Sequence, residues 1–308
     1  MRHLLSFILV FCLCAPGKSE APFRYHLVPG DIFQLDITIL QESHSKSPLA
    51  DRNVSLDVST GIRFRVQDID SSGNYLMECH YCNPSLSLFS TSLDLSLDSE
   101  TGKQTVLSRF TDTLETFTFN LLMDPYGKPL KLDTLDGAIA SLAQSGGNGT
   151  QEQEIVVSTL KDAFGYAAFL NLCHTTLNLY PQDSGPSARK EVIRHLNETS
   201  MSQLNQFYCS VTPDGNWRVQ GVGVIDTQDP DQEDEKGRVL TQIRGNQTYD
   251  YLCDPASGII LEGISRQKIF VKSMYRDSNH FPEGLEIPSE TVTEYEIRGT
   301  FQKDGVNE

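Results

Sequence analysis

A strict alternation of apolar and polar residues constrains the fold of this 308-residue chain more than any other feature. In residues 61–67, Ile62, Phe64 and Val66 alternate with two arginines and a glutamine. Successive side chains of a strand point to opposite faces of a sheet, so this pattern predicts a strand with one face in the core. Residues 75–81 and 92–97 follow the same period. We therefore expect antiparallel sheets, each with one hydrated face.

The middle of the chain has helical periodicity instead. Apolar residues in the segment 156–177 recur three or four positions apart, and Thr150 with Gln153 matches a capping box at a helix start. Two further helices are expected, at residues 135–142 and 187–207. The sequence thus predicts an α+β fold, mostly antiparallel β, with two sheet regions separated by a helical middle segment. The predicted limits are residues 20–143 for the N-terminal β-rich region, 144–210 for the helical segment and 211–308 for the C-terminal β-rich region.

Residues 1–19 have the layout of a secretory signal peptide. Basic Arg2 and His3 precede an apolar run from Leu4 to Leu13, and small residues follow. An apolar run of about ten residues is too short to span a membrane. We therefore predict a secreted or periplasmic protein, and we expect no transmembrane segment in the mature chain.

Two cysteines within this leader raise the alternative of a lipid anchor. Lipidation of a bacterial lipoprotein requires a small residue directly before the modified cysteine. Here the large residues Phe11 and Leu13 precede Cys12 and Cys14. The sequence therefore favours cleavage after Gly17 or Ser19 and release of the chain.

Charge and cysteine content exclude several classes of protein. A formal net charge of −16 opposes binding to nucleic acid and to anionic lipid surfaces, because both carry negative phosphates. Five cysteines remain after removal of the leader. Because five is odd, they cannot all pair within one chain, and five are too few for a disulfide scaffold of this length. These residues are Cys79, Cys82, Cys173, Cys209 and Cys253.

Two cysteine motifs suggest catalysis but lack the required context. Thioredoxin-like chemistry places its thiolate at a helix N-terminus, whereas Cys79 and Cys82 fall in or just after a predicted strand. Haem attachment requires a histidine at position 83, which is Asn83. Cys173 and His174 are neighbours on a predicted helix and cannot face each other. We predict a buried Cys79, a half-exposed Cys82 and a packed His174, with no catalytic, cofactor-binding or metal-binding residue.

An acidic loop and four sequons complete the candidate sites. Residues 226–235 contain six carboxylates, a composition compatible with weak Ca²⁺ binding, but they lack the glycine and terminal glutamate of an EF-hand loop. A solvated hairpin tip is the simpler interpretation. Glycan attachment at the sequons would require a eukaryotic secretory pathway. The sequons are at Asn53, Asn148, Asn197 and Asn246.

Two turns in the chain resemble each other. Residues 117–130 and 249–261 each combine an aromatic-x-aromatic strand, an Asp-Pro turn followed by glycine, and a returning apolar strand. Asp bonds the turn backbone, Pro fixes φ and Gly accepts a positive φ. Internal duplication and two ordinary hairpins are both compatible with this similarity.

The order of these segments supplies a family resemblance. An opening Leu27–Phe33, then Asp70–Tyr75, Met123–Lys128, a helical middle and Asp254–Gly258 resemble a family of uncharacterised secreted or periplasmic proteins of Gram-negative bacteria. The resemblance implies a β-rich domain of unknown function in the bacterial envelope, and it carries over no catalytic residue.

The sequence therefore predicts a non-enzymatic protein that binds a partner or supports structure in the envelope, its partner being an envelope protein or a hydrophobic ligand. The alternative is a carrier whose sheet and helices enclose a hydrophobic lipid or lipoprotein ligand. Phe164, Phe169 and Leu170 would line such a cavity, although they would pack equally well in an ordinary core. An enzyme is the third possibility.

Overall fold

The structure is a computed structural model that describes most of the chain from Phe23 to Gln302. The described ranges are residues 23–46, 51–90, 93–97, 114–133, 135, 160–182, 187–196, 199–227, 238–277 and 281–302. Only the backbone is described for residues 93–97, 187–196, 199–200, 238–241, 275–277 and 281–283. The predicted leader, the capping box and the acidic loop beyond Thr227 lie outside these ranges, as does the predicted helix at 135–142 apart from Leu135.

Twelve strands and one helix make up the described architecture. The strands are β1 (Ile32–Ser45), β2 (Arg52–Ile69), β3 (Tyr75–Ser90), β4 (Leu93–Leu97), β5 (Thr118–Met123), β6 (Pro129–Asp133), β7 (Ser187–Leu196), β8 (Thr199–Val211), β9 (Trp217–Thr227), β10 (Arg238–Cys253), β11 (Ile260–Asp277) and β12 (Phe281–Gln302). Helix α1 (Tyr166–Thr176) is preceded by a short helical stretch at 160–164.

The predicted α+β fold is wrong, because the described strands form one sheet. Its order is β6-β5-β3-β2-β1-β12-β11-β10-β9-β8-β7, and β4 pairs with β3. All neighbouring strands are antiparallel, and the first strand pairs with the last, from Ile32 opposite Gln302 to Ser45 opposite Ser289. This long-range pairing joins the two predicted sheet regions into one.

The predicted helix at residues 187–207 is also wrong, since this segment forms β7 and most of β8. In β8, Met201, Gln203, Asn205, Phe207 and Cys209 are buried and alternate with less buried residues. The period is therefore two, as in a strand. Gln203 and Asn205 are polar although they are buried, so β8 does not show the apolar–polar alternation that predicts a strand from sequence.

The sheet curls around α1. The helix contacts both β6 and β7, which stand at opposite edges of the strand order. Buried tyrosines from distant strands donate hydrogen bonds to carbonyls of the helical segment: Tyr81 of β3 to Phe164 O (3.1 Å) and Tyr251 of β10 to Thr175 O (3.0 Å). A helix that touches both edges and the middle of a sheet requires that sheet to be concave toward it.

The main core lies between α1 and this concave face. The predicted inward positions Ile62, Phe64 and Val66 are each 1% exposed, which confirms their alternation. Aromatic rings fill the space beside the helix, with Phe119 and Phe169 edge to face at 4.8 Å between centroids. Such pairs add to the stabilisation from apolar burial.

The two similar turns have the predicted chemistry and meet at one end of the core. Asp124 Oδ1 accepts hydrogen bonds from the Tyr126 and Lys128 amides, and Asp254 accepts equivalent bonds from its own turn. The amide of Tyr25 donates to Pro125 O, and the amide of His26 donates to Ser257 O, each at 2.9 Å. Residues 25–26 therefore tie the two turns together.

Candidate functional site

A row of neutral residues, polar except for one glycine, crosses the concave face at right angles to the strands. The strand register places these residues directly opposite one another on six successive strands. In order from β1 they are Gln41, Thr293, Gln267, Gln247, Gly223 and Asn205. Gln203, Asn205 and Gln247 have no exposed surface, so polar side chains occupy an interior layer of the sheet.

Hydrogen bonds connect this row to side chains in the adjacent rows. Gln203 Nε2 donates its two hydrogens to Asn205 Oδ1 (2.6 Å) and Gln247 Oε1 (2.8 Å), and it also lies within hydrogen-bond distance of the Tyr249 hydroxyl. Gln247 Nε2 donates to Ser265 Oγ (2.7 Å), and the Tyr249 hydroxyl donates to Asn205 Oδ1 (2.9 Å). We call this network the polar belt; its members are Gln203, Asn205, Gln247, Tyr249, Ser265, Gln267 and Thr293.

A glycine in β9 makes the belt possible. Gly223 lies between Asn205 of β8 and Gln247 of β10 in the register. A Cβ atom at position 223 would lie 2.4 Å from Asn205 Oδ1 and 3.0 Å from Gln203 Nε2. Because glycine has no side chain, the amides of β8 and β10 can meet across β9.

Two atoms of the belt have no hydrogen-bond partner in the described part of the chain. These are the acceptor Gln203 Oε1 and the donor Asn205 Nδ2. A buried polar group left unpaired costs about 1–3 kcal/mol, and native proteins contain few of them. A neighbouring unpaired acceptor and donor on one strand therefore require an explanation.

Apolar side chains flank the belt on both sides. On one side lies the main core, beginning with Phe207, whose ring is 5.2 Å from that of Tyr249. On the other side a separate cluster forms on the same face of β8 to β11. We call it the distal apolar cluster: Met201, Ile225, Ile243, Ile269 and Val271. The residues of α1 that are buried among apolar groups belong to the main core, so the helix packs on that side of the belt.

The belt offers neutral hydrogen-bonding groups on its described side chains. The belt consists of amides and hydroxyls, and no His, Lys, Arg, Asp or Glu belongs to it. The described residues contain no group of three or more His, Cys, Asp or Glu that could hold a metal ion. Chemically, the face can supply hydrogen bonds and apolar contacts.

The cysteine motifs occupy core positions. Cys79 is buried and Cys82 half-buried, as predicted. Burial raises the pKa of the Cys79 thiol well above its ordinary value, and also that of Cys82. Burial likewise raises the pKa of Cys253 to about 12. A redox thiol requires the opposite shift, which stabilises the thiolate.

Cys173 and His174 point to different surroundings. Cys173 is buried in the main core, and burial raises the pKa of its thiol. His174 is half-buried, with its Nδ1 3.4 Å from Asn178 Nδ2. The structure therefore places these neighbours in separate environments on α1.

The residues assigned to a carrier cavity pack against the sheet. Phe164 and Phe169 are each 1% exposed and both meet the Tyr81 ring edge to face. Leu170 is half-buried beside them. Phe164 and Phe169 thus fill the space between α1 and β3 that such a cavity would occupy.

Two sequons lie on exposed strand positions. Asn53 of β2 and Asn246 of β10 are exposed, whereas Asn148 and Asn197 fall outside the described residues. Asn53 also borders a half-open groove of about 340 Å³ at the outer end of β1, β2, β3 and β12. This groove is lined by both acidic and apolar side chains, among them Glu42, Glu290 and Phe89.

Sequence reasoning missed the polar belt. The usual strand pattern buries apolar residues and exposes polar ones, and here it is reversed. Gln203 and Asn205 are buried, whereas Leu204 between them is 43% exposed. An apolar residue flanked by amides at spacing two indicates a strand with a polar inner face, but only strand pairing shows that Gln247 lies opposite.

These features define a mostly β protein with a single curled antiparallel sheet and a hydrogen-bonding layer inside it. The chain belongs to a family of unknown function, DUF6263, whose sequence pattern matches residues 72–260. The prediction of an uncharacterised β-rich domain is thereby confirmed. The Gram-negative origin and the secreted location stay predictions. No curated protein sequence matches the chain significantly.

The solved structures that resemble this chain include one of lipovitellin, which shares the fold. It is described as "Lipid-protein interactions in lipovitellin", with a TM-score of 0.51 and 11% sequence identity over 92% of this chain. The chain spans 26% of that protein's length. An outer membrane channel from Pseudomonas putida F1 aligns over 90% of this chain and 97% of its own, at 7% identity, but its TM-score of 0.20 is too low to indicate a shared fold. The described helices of this chain are too short or too polar to span a membrane.

Proposed function

We propose that this protein is a non-catalytic binding protein that holds an amphipathic, lipid-like ligand on the concave face of its sheet. The observation that carries the proposal is the polar belt, with its unpaired Gln203 Oε1 and Asn205 Nδ2, between two apolar regions. A ligand with a polar group and an apolar chain matches the polar belt and the distal apolar cluster beside it. Ligand sites are typically apolar with a few placed polar groups.

The fold comparison supports the ligand class. The lipovitellin structure concerns lipid–protein interactions, and it shares with this chain the fold alone. In this proposal the ligand lies beside the distal apolar cluster, on the side of the belt away from α1. The filled contact between α1 and β3 argues against the alternative site at Phe164 and Phe169.

Secretion and the absence of catalysis are parts of the same proposal. The leader-like residues 1–19 would direct the chain out of the cytoplasm. The described thiols that have raised pKa values, and the amide chemistry of the belt, favour binding over reaction. The partner would then be a ligand encountered outside the cytoplasm or in the envelope.

Native mass spectrometry of the full chain, expressed with its leader and purified from a secreting host, tests this function. We expect a mature protein carrying an added mass that organic solvent removes and that thin-layer analysis identifies as lipid. The bare protein should take up lipid again from vesicles of phosphatidylethanolamine and monoolein. Bare protein in every preparation, together with no uptake from the vesicles, would contradict the proposal.

A matched pair of variants locates the ligand. Ile225 is 1% exposed in the distal apolar cluster, whereas its neighbour Val224 is 62% exposed on the opposite face. We expect Ile225→Thr to reduce lipid uptake several-fold, because it places a hydroxyl among the apolar contacts, and Val224→Thr to leave it unchanged. Circular dichroism confirms that both variants are folded before uptake is compared. Equal uptake by the two variants places the ligand elsewhere.

A further inference from the structure

We infer that the polar group of the ligand is uncharged and both donates and accepts a hydrogen bond, as a hydroxyl does, and that Gln203 and Asn205 bind it. This inference rests on the proposed function and adds the chemistry and the direction of the ligand. The group would accept from Asn205 Nδ2 and donate to Gln203 Oε1, the two unpaired atoms of the belt. Its apolar chain would extend toward Met201 and Ile225.

The orientation of both amides is fixed by the other members of the belt. Asn205 Oδ1 accepts from Tyr249 and from Gln203 Nε2, so the amino group of Asn205 points away from them. Gln203 Nε2 also donates to Gln247 Oε1, which leaves Gln203 Oε1 as the free end. The free ends are therefore one donor and one acceptor on a single strand.

The charge of the surroundings favours a neutral group. An anionic head would face the lone pairs of Gln203 Oε1, and a cationic head would face the N–H groups of Asn205. Of the described residues that are buried, one carries a carboxylate or a basic group. It is Asp31, which lies in the turn before β1. Among the described buried side chains, a buried ion at the belt would thus lack a compensating charge.

The direction of the ligand follows from the rows of the sheet. Asn205 of β8 is paired with Gly223 of β9. The next pair on this face, toward the distal apolar cluster, is Gln203 with Ile225. Met201 and Thr227 form the next pair on this face. On the opposite side of the belt, Phe207 and Tyr249 occupy the space with aromatic rings. The rows that follow Gln203 on this face therefore belong to the distal apolar cluster.

Binding of three related probes to the full mature chain tests this inference. The probes are dodecanol, its methyl ether, which accepts but cannot donate, and dodecanoate, which is anionic. We expect dodecanol to bind at least about tenfold more tightly than the other two probes. The ether leaves Gln203 Oε1 unpaired because it has no donor, and the carboxylate of dodecanoate is repelled by the lone pairs of the same atom. In the double variant Gln203→Met, Asn205→Leu, the preference for dodecanol over its ether should fall below about threefold.

The outcomes separate this inference from the function on which it rests. If no probe binds the wild-type chain, the proposed function fails. If all three bind alike, or if the double variant keeps the full preference, ligand binding stands and the assignment of the head group is overturned. The register pairs Lys190 of β7 with Asn205. Preferred binding of dodecanoate that is lost in Lys190→Met would also overturn the neutral head group.

Discussion

The Asn205→Asp variant is expected to be less stable than the wild type by about 3–5 kcal/mol at pH 7, the cost of an uncompensated buried charge. Asn205 has no exposed surface, and its Oδ1 accepts hydrogen bonds from Gln203 and Tyr249. These two donors remain after the substitution and offset part of the desolvation cost of the carboxylate. Urea denaturation measured from pH 3 to pH 8 gives the free energy of unfolding.

The pH dependence identifies the cause of this loss. Burial raises the pKa of the introduced carboxyl above its ordinary value of about 3.9. In the unfolded chain the carboxyl ionises near that value, so the penalty is absent below it, grows as pH rises and is complete above the raised folded pKa. We therefore expect variant and wild type to converge near pH 3.

A control variant lies on the neighbouring strand β10. Asn246 is exposed on the outer face, one position before buried Gln247. The Asn246→Asp change adds the same charge without burying it, and we expect a stability change within about 0.5 kcal/mol at every pH. Equal losses for the two variants would show that the belt is not a buried layer.

The Gly127→Ala variant is expected to lose about 3–5 kcal/mol of stability, with its urea midpoint lowered accordingly. Gly127 has φ = 90° in the turn between β5 and β6. A Cβ atom there would lie 1.7 Å from Leu177 O, which also accepts the hydrogen bond from the Tyr25 hydroxyl. The turn therefore has to move away from the end of α1, and the strain of a positive φ adds about 1–2 kcal/mol.

Gly215 separates backbone strain from this contact. It has a similar φ of 87°, but no atom lies within 4 Å of the position of its Cβ. The Gly215→Ala variant should lose about 1–2 kcal/mol, the cost of the backbone conformation alone. Similar losses in the two variants would contradict the close packing of the β5–β6 turn on the end of α1. Failure of only the Gly127 variant to fold would agree with it.

Local patterns predicted many strands and both Asp-Pro turns. The alternation around Phe64 and the turn chemistry of Asp124 act over a few residues, so the sequence displays them directly. The pairing of β1 with β12 joins residues more than two hundred positions apart. No local pattern specifies such a pairing, so local patterns predict two sheets where one forms.

The polar belt explains both the wrong helix and the missed site. Gln203 and Asn205 stand at inward positions of β8, where apolar residues are expected. Without them as apolar markers, the remaining apolar residues of the segment 187–207 fit a helical spacing. Polar residues inside a sheet are stabilised by partners on other strands, here Gln247 and Tyr249, which only the tertiary structure brings into contact.

Photolabelling tests most directly whether the concave face beyond the belt holds the ligand. Dodecanol carrying a diazirine at the end of its chain is irradiated with the full mature protein, and residue-level tandem mass spectrometry locates the label. We predict labelling in the distal apolar cluster, at Ile225, Ile243 or Ile269, that excess dodecanol suppresses. Labelling confined to outward residues such as Val222 and Val224, or labelling that dodecanol does not suppress, would contradict the account.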